Sequence, residues 1–415
     1  MENAFKELKV TGQFVKALDK MSINEPTEIQ VKAIPPGLAG QDVLGVAQTG
    51  SGKTLAYLIP VVMKIKYAQD GSPKALIMVP SKELAIQIYK VFEALTINTD
   101  IRGVCLYGGV GKTDQIRALD KGCEVIIATP GRFLDLYSHG HIPLRKVRTL
   151  VLDEADRLLE MGFIQQLRSI LEVIPTKRQN LLFSATFPSV VEKMAEEFLD
   201  FPTRVEGSRS EKPVEALRHF WMGVPNFRTK LNLLLHYLEK PDWKRVMVFC
   251  STKDAANRVF GFLSRKDVGE VRILHANKAQ NTRIHAMEDF EEGKVRVLVT
   301  TDVTSRGIDV QDVSHVVNFN VPKSSQDYLH RVGRTARISK EGMAISFADK
   351  AEELLIKKIR KELSEEIPET KLPQDVAEGE FLPGEQRQIA RELDRIKQKQ
   401  NPDYRGAFHK KKRKR

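Results

Sequence analysis

Short apolar runs rich in β-branched residues alternate along this chain with longer amphipathic stretches. That is the rhythm of buried parallel strands joined by crossover helices. In the first half the runs are Val43–Val46, Ala75–Val79, Gly103–Tyr107, Val125–Ala128, Thr149–Leu152 and Leu181–Phe183, and they predict one α/β domain over residues 1–207. A polar stretch without apolar residues follows, so residues 208–214 read as a linker. The rhythm then restarts at Phe220–Val224 and continues through Val246–Cys250, Val271–Leu274, Val295–Thr300, Val316–Phe319 and Met343–Phe347. With an amphipathic helix near Ala351–Leu363, these runs predict a second α/β domain over residues 215–365. Beyond Glu365, Pro368, Pro373 and Pro383 interrupt an acidic, weakly apolar stretch. Residues 385–399 suit a polar helix, and 366–415 as a whole reads as a flexible, basic-ended tail.

Composition narrows the class. A length of 415 residues suits two or three domains, and 41% apolar with 29% charged residues suits a soluble protein with sizeable cores. Cys105, Cys123 and Cys250 lie far apart with no C-x-x-C pair, which argues against a disulfide framework or a zinc site and for a reducing cytosol. No apolar run approaches the ~18–20 residues of a membrane span, and the start Met1-Glu2-Asn3-Ala4 does not read as a signal peptide. The expectation is a cytoplasmic monomer with no membrane partner. The net charge of +12 points to a polyanionic partner, and half of that excess lies in residues 401–415. The run Lys410 to Arg415 reads as a non-specific tether for such a polyanion, since each cation that neutralises a phosphate releases counterions, with a nuclear-localisation signal or a solvated terminal run as the alternatives.

The chemistry centres on Ala47-Gln48-Thr49-Gly50-Ser51-Gly52-Lys53-Thr54, which links the run Val43–Val46 to a helix beginning Leu55-Ala56-Tyr57-Leu58. A strand, a glycine-rich turn and Lys-Thr at a helix start make a phosphate cradle. Gly50 and Gly52 let backbone N–H groups turn inward, Lys53 can neutralise β- and γ-phosphates, and the Thr54 hydroxyl can ligate magnesium. Ala47 stands at the first position of that pattern, where glycine is usual. Thr149–Leu152 runs into Asp153-Glu154-Ala155-Asp156, which sets carboxylates at the end of a buried strand. Asp153 is the candidate for holding magnesium, partly through water, and Glu154 for orienting the attacking water.

Asp-Glu-Ala-Asp after such a strand, about a hundred residues beyond the glycine-rich turn, resembles the DEAD-box family of ATP-dependent RNA helicases. Further motifs of that family occur in order over residues 5–350. They are Pro26-Thr27-Glu28-Ile29-Gln30, Pro80-Ser81-Lys82-Glu83-Leu84-Ala85, Gly108-Gly109, Thr129-Pro130-Gly131-Arg132, Ser184-Ala185-Thr186, Val248-Phe249, Arg306-Gly307-Ile308-Asp309 and His330 to Arg337. The resemblance implies two tandem RecA-like domains, each a mostly parallel sheet flanked by helices, working with ATP and Mg2+.

Residue by residue, Gln30 can read the N6 amine and N7 of adenine together and Phe5 can stack on its ring. The resemblance implies that these two choose ATP. It also implies that Asp309 accepts from a ribose hydroxyl and that Ser184, Ala185, Thr186 and Asp156 couple hydrolysis to strand separation. Arg331, Arg334 and Arg337 recur every three residues and so would share one helix face. By resemblance Arg334 and Arg337 are arginine fingers, while His330 and Arg331 join the two domains. Candidates for RNA phosphate and sugar are Ser81, Lys82, Gly108, Gly109, Thr129, Pro130, Gly131 and Arg132, with Thr252, Gln280, Arg283, Thr301 and Asp302 in the second domain. Such contacts carry no base information, so binding is expected to be independent of sequence.

Four positions depart from the family pattern. Ser81-Lys82 stands for the usual Thr-Arg, Ala336 for a common Gly, and Asn24 for a large apolar group. None removes a catalytic group, although lysine lacks the bidentate fork of arginine. The reading is an RNA-dependent ATPase and helicase that unwinds short duplexes, with an ATP-gated RNA clamp as the alternative. Ribosome-assembly or RNA-decay proteins are the partners this suggests. A P-loop transporter or DNA translocase is disfavoured by Gln30 and the Arg306–Asp309 element.

Overall fold

The apolar runs of the first half become strands buried on both faces of one sheet in the computed structural model, which describes residues 3–48, 50–66, 71–207, 217–275, 280–301, 313–335, 342–363, 366–400 and 404. Strands β1 (Val43–Val46), β2 (Ala75–Met78), β3 (Gly103–Leu106), β4 (Val125–Ala128), β5 (Thr149–Leu152), β6 (Gln179–Ser184) and β7 (Thr203–Glu206) lie in the order β3-β4-β2-β5-β6-β1-β7. Every pairing is parallel. Alternate residues of each strand enter opposite cores: Val43, Ile77, Ile127, Val151 and Leu181 one of them, Leu44, Leu76, Ile126, Leu150 and Leu182 the other. Because the strands are parallel, all their C-terminal ends open on one edge of the sheet, and the loops that leave that edge carry the site.

The crossover segments are α1 (Gly12–Lys20), α2 (Glu28–Ala39), α3 (Lys53–Met63), α4 (Lys82–Thr96), α5 (Thr113–Asp120), α6 (Pro130–Ser138), α7 (Ala155–Glu160), α8 (Ile164–Val173) and α9 (Ser189–Phe198). Strand β7 has no apolar run to announce it. It is an edge strand in which only Val205 is buried, while Arg204 and Glu206 form an ion pair outside.

The chain divides into two compact units between Arg209 and Ser210, and the linker read over 208–214 lies outside the described residues. In the second unit β8 (Leu217–Gly223), β9 (Val246–Cys250), β10 (Val271–Leu274), β11 (Val297–Thr301), β12 (His315–Asn318) and β13 (Gly342–Ala348) form another parallel sheet, ordered β10-β11-β9-β12-β13-β8. Its described helices are α10 (Phe227–Leu238), α11 (Lys253–Leu263), α12 (Gln280–Glu291), α13 (Ser325–Val332) and α14 (Glu352–Leu363).

The stretch after Glu365 corrects the expectation of a flexible tail. Residues 366–383 are held on the second unit, and α15 (Glu385–Gln400) follows them. Trp221 N–H donates to the Pro368 carbonyl (3.0 Å) and the Trp221 carbonyl accepts from Thr370 N–H (2.8 Å), so the segment runs parallel along the outer edge of β8. Ile367 is fully buried, and Val376 enters the core with Leu372 packed against it. Asn226 Nδ2 donates to the Gly379 carbonyl at 2.6 Å, and Glu385 Oε1 accepts from Phe227 N–H at 2.6 Å. Isolated apolar residues and main-chain bonds anchor this segment, with no periodic pattern to read. A chain ended at residue 365 is therefore expected to lose at least the burial of Ile367 and Val376, each about 1.5–3 kcal/mol. Thermal melting should show a fall of about 5–10 °C against the full chain; equal melting temperatures would leave the segment a passive passenger.

Candidate nucleotide and nucleic-acid site

The glycine-rich turn leaves the C-terminal end of β1 and delivers Lys53 to the first position of α3. Gly50 and Gly52 take φ of +82° and +91°, the left-handed values the turn needs. No side chain caps the start of α3, and Ser51 Oγ is buried with no hydrogen-bond partner. Backbone donors and an orphaned hydroxyl at a helix N-terminus make a ready anion cradle. Lys53 is buried and its Nζ donates to the Ala47 carbonyl (2.5 Å). Gln48 is exposed, and Thr49 lies outside the described residues.

Gln30 ties this turn to α2. Its Oε1 accepts from Thr27 N–H (2.9 Å) in a capping box, and its Nε2 donates to the Gly52 carbonyl (3.0 Å). Both polar ends expected to read adenine are thus engaged within the protein. Phe5 corrects its expectation more strongly. Asn3 Oδ1 accepts from Phe5 N–H and fixes a 3-10 turn at Ala4–Lys6, which drives the ring into the core at 0% exposure, so it offers no open stacking face.

Asp153 and Glu154 follow β5, one strand removed from β1 through β6. Asp153 Oδ1 accepts from Glu154 N–H and its Oδ2 from the Tyr57 hydroxyl, both at 2.8 Å. Burial pushes the Asp153 carboxyl up and the charge of Lys53 opposes that shift. Burial, then the neighbouring Asp153 charge, pushes Glu154 up to about 7. Glu154 also sits at φ +50°, a left-handed position that costs a side-chain-bearing residue about 1–2 kcal/mol. Such strain is typical of residues held for function. Tyr57 is the group the sequence reading missed: it stood there only as part of the helix start, and its hydroxyl is pushed well above the usual range by burial.

Asp156 joins the element ending β6. One of its oxygens accepts from Thr186 N–H (3.0 Å) and Thr186 Oγ1 (2.7 Å), while Asp156 N–H donates to Ser184 Oγ (3.3 Å). Ser184 Oγ in turn donates to the Thr186 carbonyl (2.7 Å), and half-buried Ala185 spans the turn.

The residues expected to meet RNA phosphates in this unit all follow β2, β3 and β4, adjacent strands of the sheet. Ser81 caps α4, its Oγ accepting from Leu84 N–H (3.2 Å), and Lys82 lies 4.5 Å over the Tyr107 ring. Gly108 and Gly109 are exposed. Thr129 is the N-cap of α6 without a side-chain cap bond, Pro130 is buried at its first turn, and Gly131 is exposed. Arg132 Nη2 donates to the Val110 carbonyl (2.8 Å) and its Nε lies 3.7 Å from Asp135, whereas Nη1 is buried with no hydrogen-bond partner. An unsatisfied guanidinium nitrogen beside an open helix start suits a phosphate oxygen.

In the second unit Thr252 caps α11, accepting from Ala255 N–H (3.1 Å), and Thr301 ends β11. Gln280 opens α12, on which half-buried Arg283 also lies. Asp302, Arg306 to Asp309 and Arg337 fall outside the described residues. The shared arginine face is corrected: α13 ends at Val332, Gly333 N–H donates to the Leu329 carbonyl, and Arg334 lies in the closing turn. Arg331 is buried, with Nη1 donating to Asn318 Oδ1 (3.0 Å) and the Asn320 carbonyl (2.7 Å) and its guanidinium 5.2 Å from the Phe249 ring centroid. Those bonds lie inside its own unit. Arg334 is 3% exposed, and its Nε donates to the carbonyl of half-buried His330 (3.1 Å).

Two family models match, one described as DEAD/DEAH box helicase over residues 27–194 and one as Helicase conserved C-terminal domain over residues 229–339. The chain is 39% identical to the ATP-dependent RNA helicase DBP2 of Encephalitozoon cuniculi, covering 88% of this chain and 75% of that protein. It is 38% identical to DEAD-box ATP-dependent RNA helicase 30 of Arabidopsis thaliana over 88% of its length, but spans 63% of that relative. Among solved structures, S. cerevisiae Dbp5 bound to RNA and ADP BeF3 matches with a TM-score of 0.81 and 32% identity, over 90% of this chain and 96% of the other.

Proposed function

The chain belongs to the DEAD-box family of helicases, and from that membership we infer that it is an ATP-dependent RNA helicase. It binds RNA without sequence preference and uses ATP hydrolysis to separate short duplexes or remodel RNA–protein complexes. One observation of its own carries the reading: the buried Asp153–Glu154 pair stands at the end of β5, hydrogen-bonded through Tyr57 to the helix that begins at the phosphate-binding turn.

In this reading the turn from Gln48 to Thr54 takes the ATP phosphates, and Lys53 exchanges the Ala47 carbonyl for a phosphate oxygen. The residues fit magnesium. Ser51 Oγ is orphaned in the cradle, and the buried Asp153 carboxylate interacts electrostatically with Lys53. Thr54 and Asp153 would hold the ion, which when bound neutralises phosphate charge. Glu154 orients the attacking water, and Arg334 and Arg337 are the arginine fingers that family membership implies. Arg132, Lys82 and the glycines at 108, 109 and 131 bind RNA phosphates. Its dispersed cysteines support a cytoplasmic setting and its basic charge a polyanionic partner; a monomer acting in ribosome assembly, RNA turnover or cold adaptation fits this reading.

Recognition of sugar and phosphate rests on the 2′-hydroxyl for its choice of RNA. Single-stranded RNA should therefore stimulate ATP turnover while DNA of the same sequence does not. Equal stimulation by both would sink the RNA assignment in favour of a general single-strand translocase.

A further inference from the structure

Tyr57 lies one helical turn beyond Thr54 on α3, and its phenol donates to Asp153 Oδ2, on the carboxylate proposed above to hold magnesium, at 2.8 Å. The only other donor to the Asp153 carboxylate among the described residues is Glu154 N–H, on the opposite oxygen. One hydroxyl therefore ties the start of α3 to the end of β5.

The ring is placed with equal definition. Tyr57 is fully buried, and its ring packs on Phe183 with centroids 5.4 Å apart and planes tilted by 54°. Phe183 in turn occupies space that Gly45 leaves open, since a Cβ at position 45 would come within 2.4 Å of its ring. The sequence has thus given up a side chain in the middle of β1 to seat Phe183, and Phe183 fixes Tyr57. A buried carboxylate is costly without donors to hold it, and groups behind metal-binding side chains orient them.

We propose that Tyr57 is a positioning residue that holds Asp153 in its magnesium-binding orientation before the ion arrives, and so sets how much magnesium nucleotide binding requires. The proposal rests on the magnesium reading above. Tyr57→Phe keeps the ring against Phe183 and removes only the hydroxyl. Binding of a fluorescent ADP analogue to the full chain should be titrated with Mg2+ upward from EDTA. The wild type should gain affinity with a defined Mg2+ midpoint, and Tyr57→Phe should move that midpoint upward by about tenfold with affinity in EDTA unchanged. Phe183→Leu, which loosens the same packing but leaves the hydroxyl, should lower the melting temperature and keep the wild-type midpoint. A Tyr57→Phe midpoint equal to that of the wild type, or an equal loss in EDTA and in Mg2+, would overturn the role. Wild-type binding that ignores Mg2+ would overturn the magnesium reading and this inference with it.

Discussion

Glu154→Gln is expected to bind ATP and RNA normally while turnover falls by about 10²–10⁴-fold, the usual contribution of a positioned acid–base group. The substitution keeps shape and removes the carboxylate that aligns the attacking water. Pre-steady-state kinetics would show nucleotide bound and unhydrolysed, with RNA retained on the protein. The pH dependence makes the test sharper. Glu154 is pushed up to about 7 by burial and by the Asp153 charge, and the ionised form is the competent one. Wild-type kcat/KM should therefore rise through about pH 7, and the residual rate of the variant should lack that limb. Stability moves the other way. The folded protein favours the protonated acid, so this contribution is complete below the ordinary carboxylate range and is lost as pH rises through about 7. The Gln variant, which cannot ionise, should gain melting temperature relative to wild type between pH 5 and pH 8. Near-normal turnover in the variant would remove Glu154 from the mechanism.

Gly52→Ala is expected to weaken nucleotide binding by about 30–150-fold, from a combined cost of about 2–3 kcal/mol. The turn holds position 52 at φ +91°, which costs an alanine about 1–2 kcal/mol. The added methyl would also lie 2.5 Å from Gln30 Nε2 and 2.8 Å from Thr27 Oγ1. Gln30 would have to swing away, breaking its bond to the Gly52 carbonyl and opening the capping box of α2, worth about 1 kcal/mol. Calorimetric titration with ADP reads the affinity, and a melting curve reads any part of the cost that appears as lost stability. Wild-type affinity together with a wild-type melting temperature would mean that the turn does not need its left-handed glycine.

Both glycines of that turn were legible in the sequence because a phosphate cradle imposes a local spacing. Strands β1, β4, β5 and β9 fell on the expected residues for a similar local reason: burial on both faces demands an unbroken apolar run. Features that depend on distant partners were not legible. Edge strand β7 buries one side chain, so it carries no run. The 366–383 segment is fixed by Trp221, Asn226 and Phe227, residues more than a hundred positions earlier. Arg331 and Arg334 look alike in sequence, and only the fold gives one of them Asn318 and Asn320 and the other a turn beyond the helix end. Phe5 could stack on a ligand or fill a core, and the Asn3 cap decided for the core. Tyr57 was placed only on a helix, and its hydroxyl meets Asp153 from a position 96 residues earlier in the chain.

The bond between Trp221 and the Pro368–Thr370 segment has a consequence for synthesis. β8 is the first strand of the second unit to leave the ribosome, yet one neighbour, β13, and its outer edge partner are both among the last pieces made. At about 5–20 residues per second, the roughly 150 residues between Trp221 and Glu369 leave that strand unpaired for about 10–30 s. The first unit can close while the second is still being translated. The second cannot finish until almost the whole chain has emerged, so the edge of β8 stays unpaired for that interval.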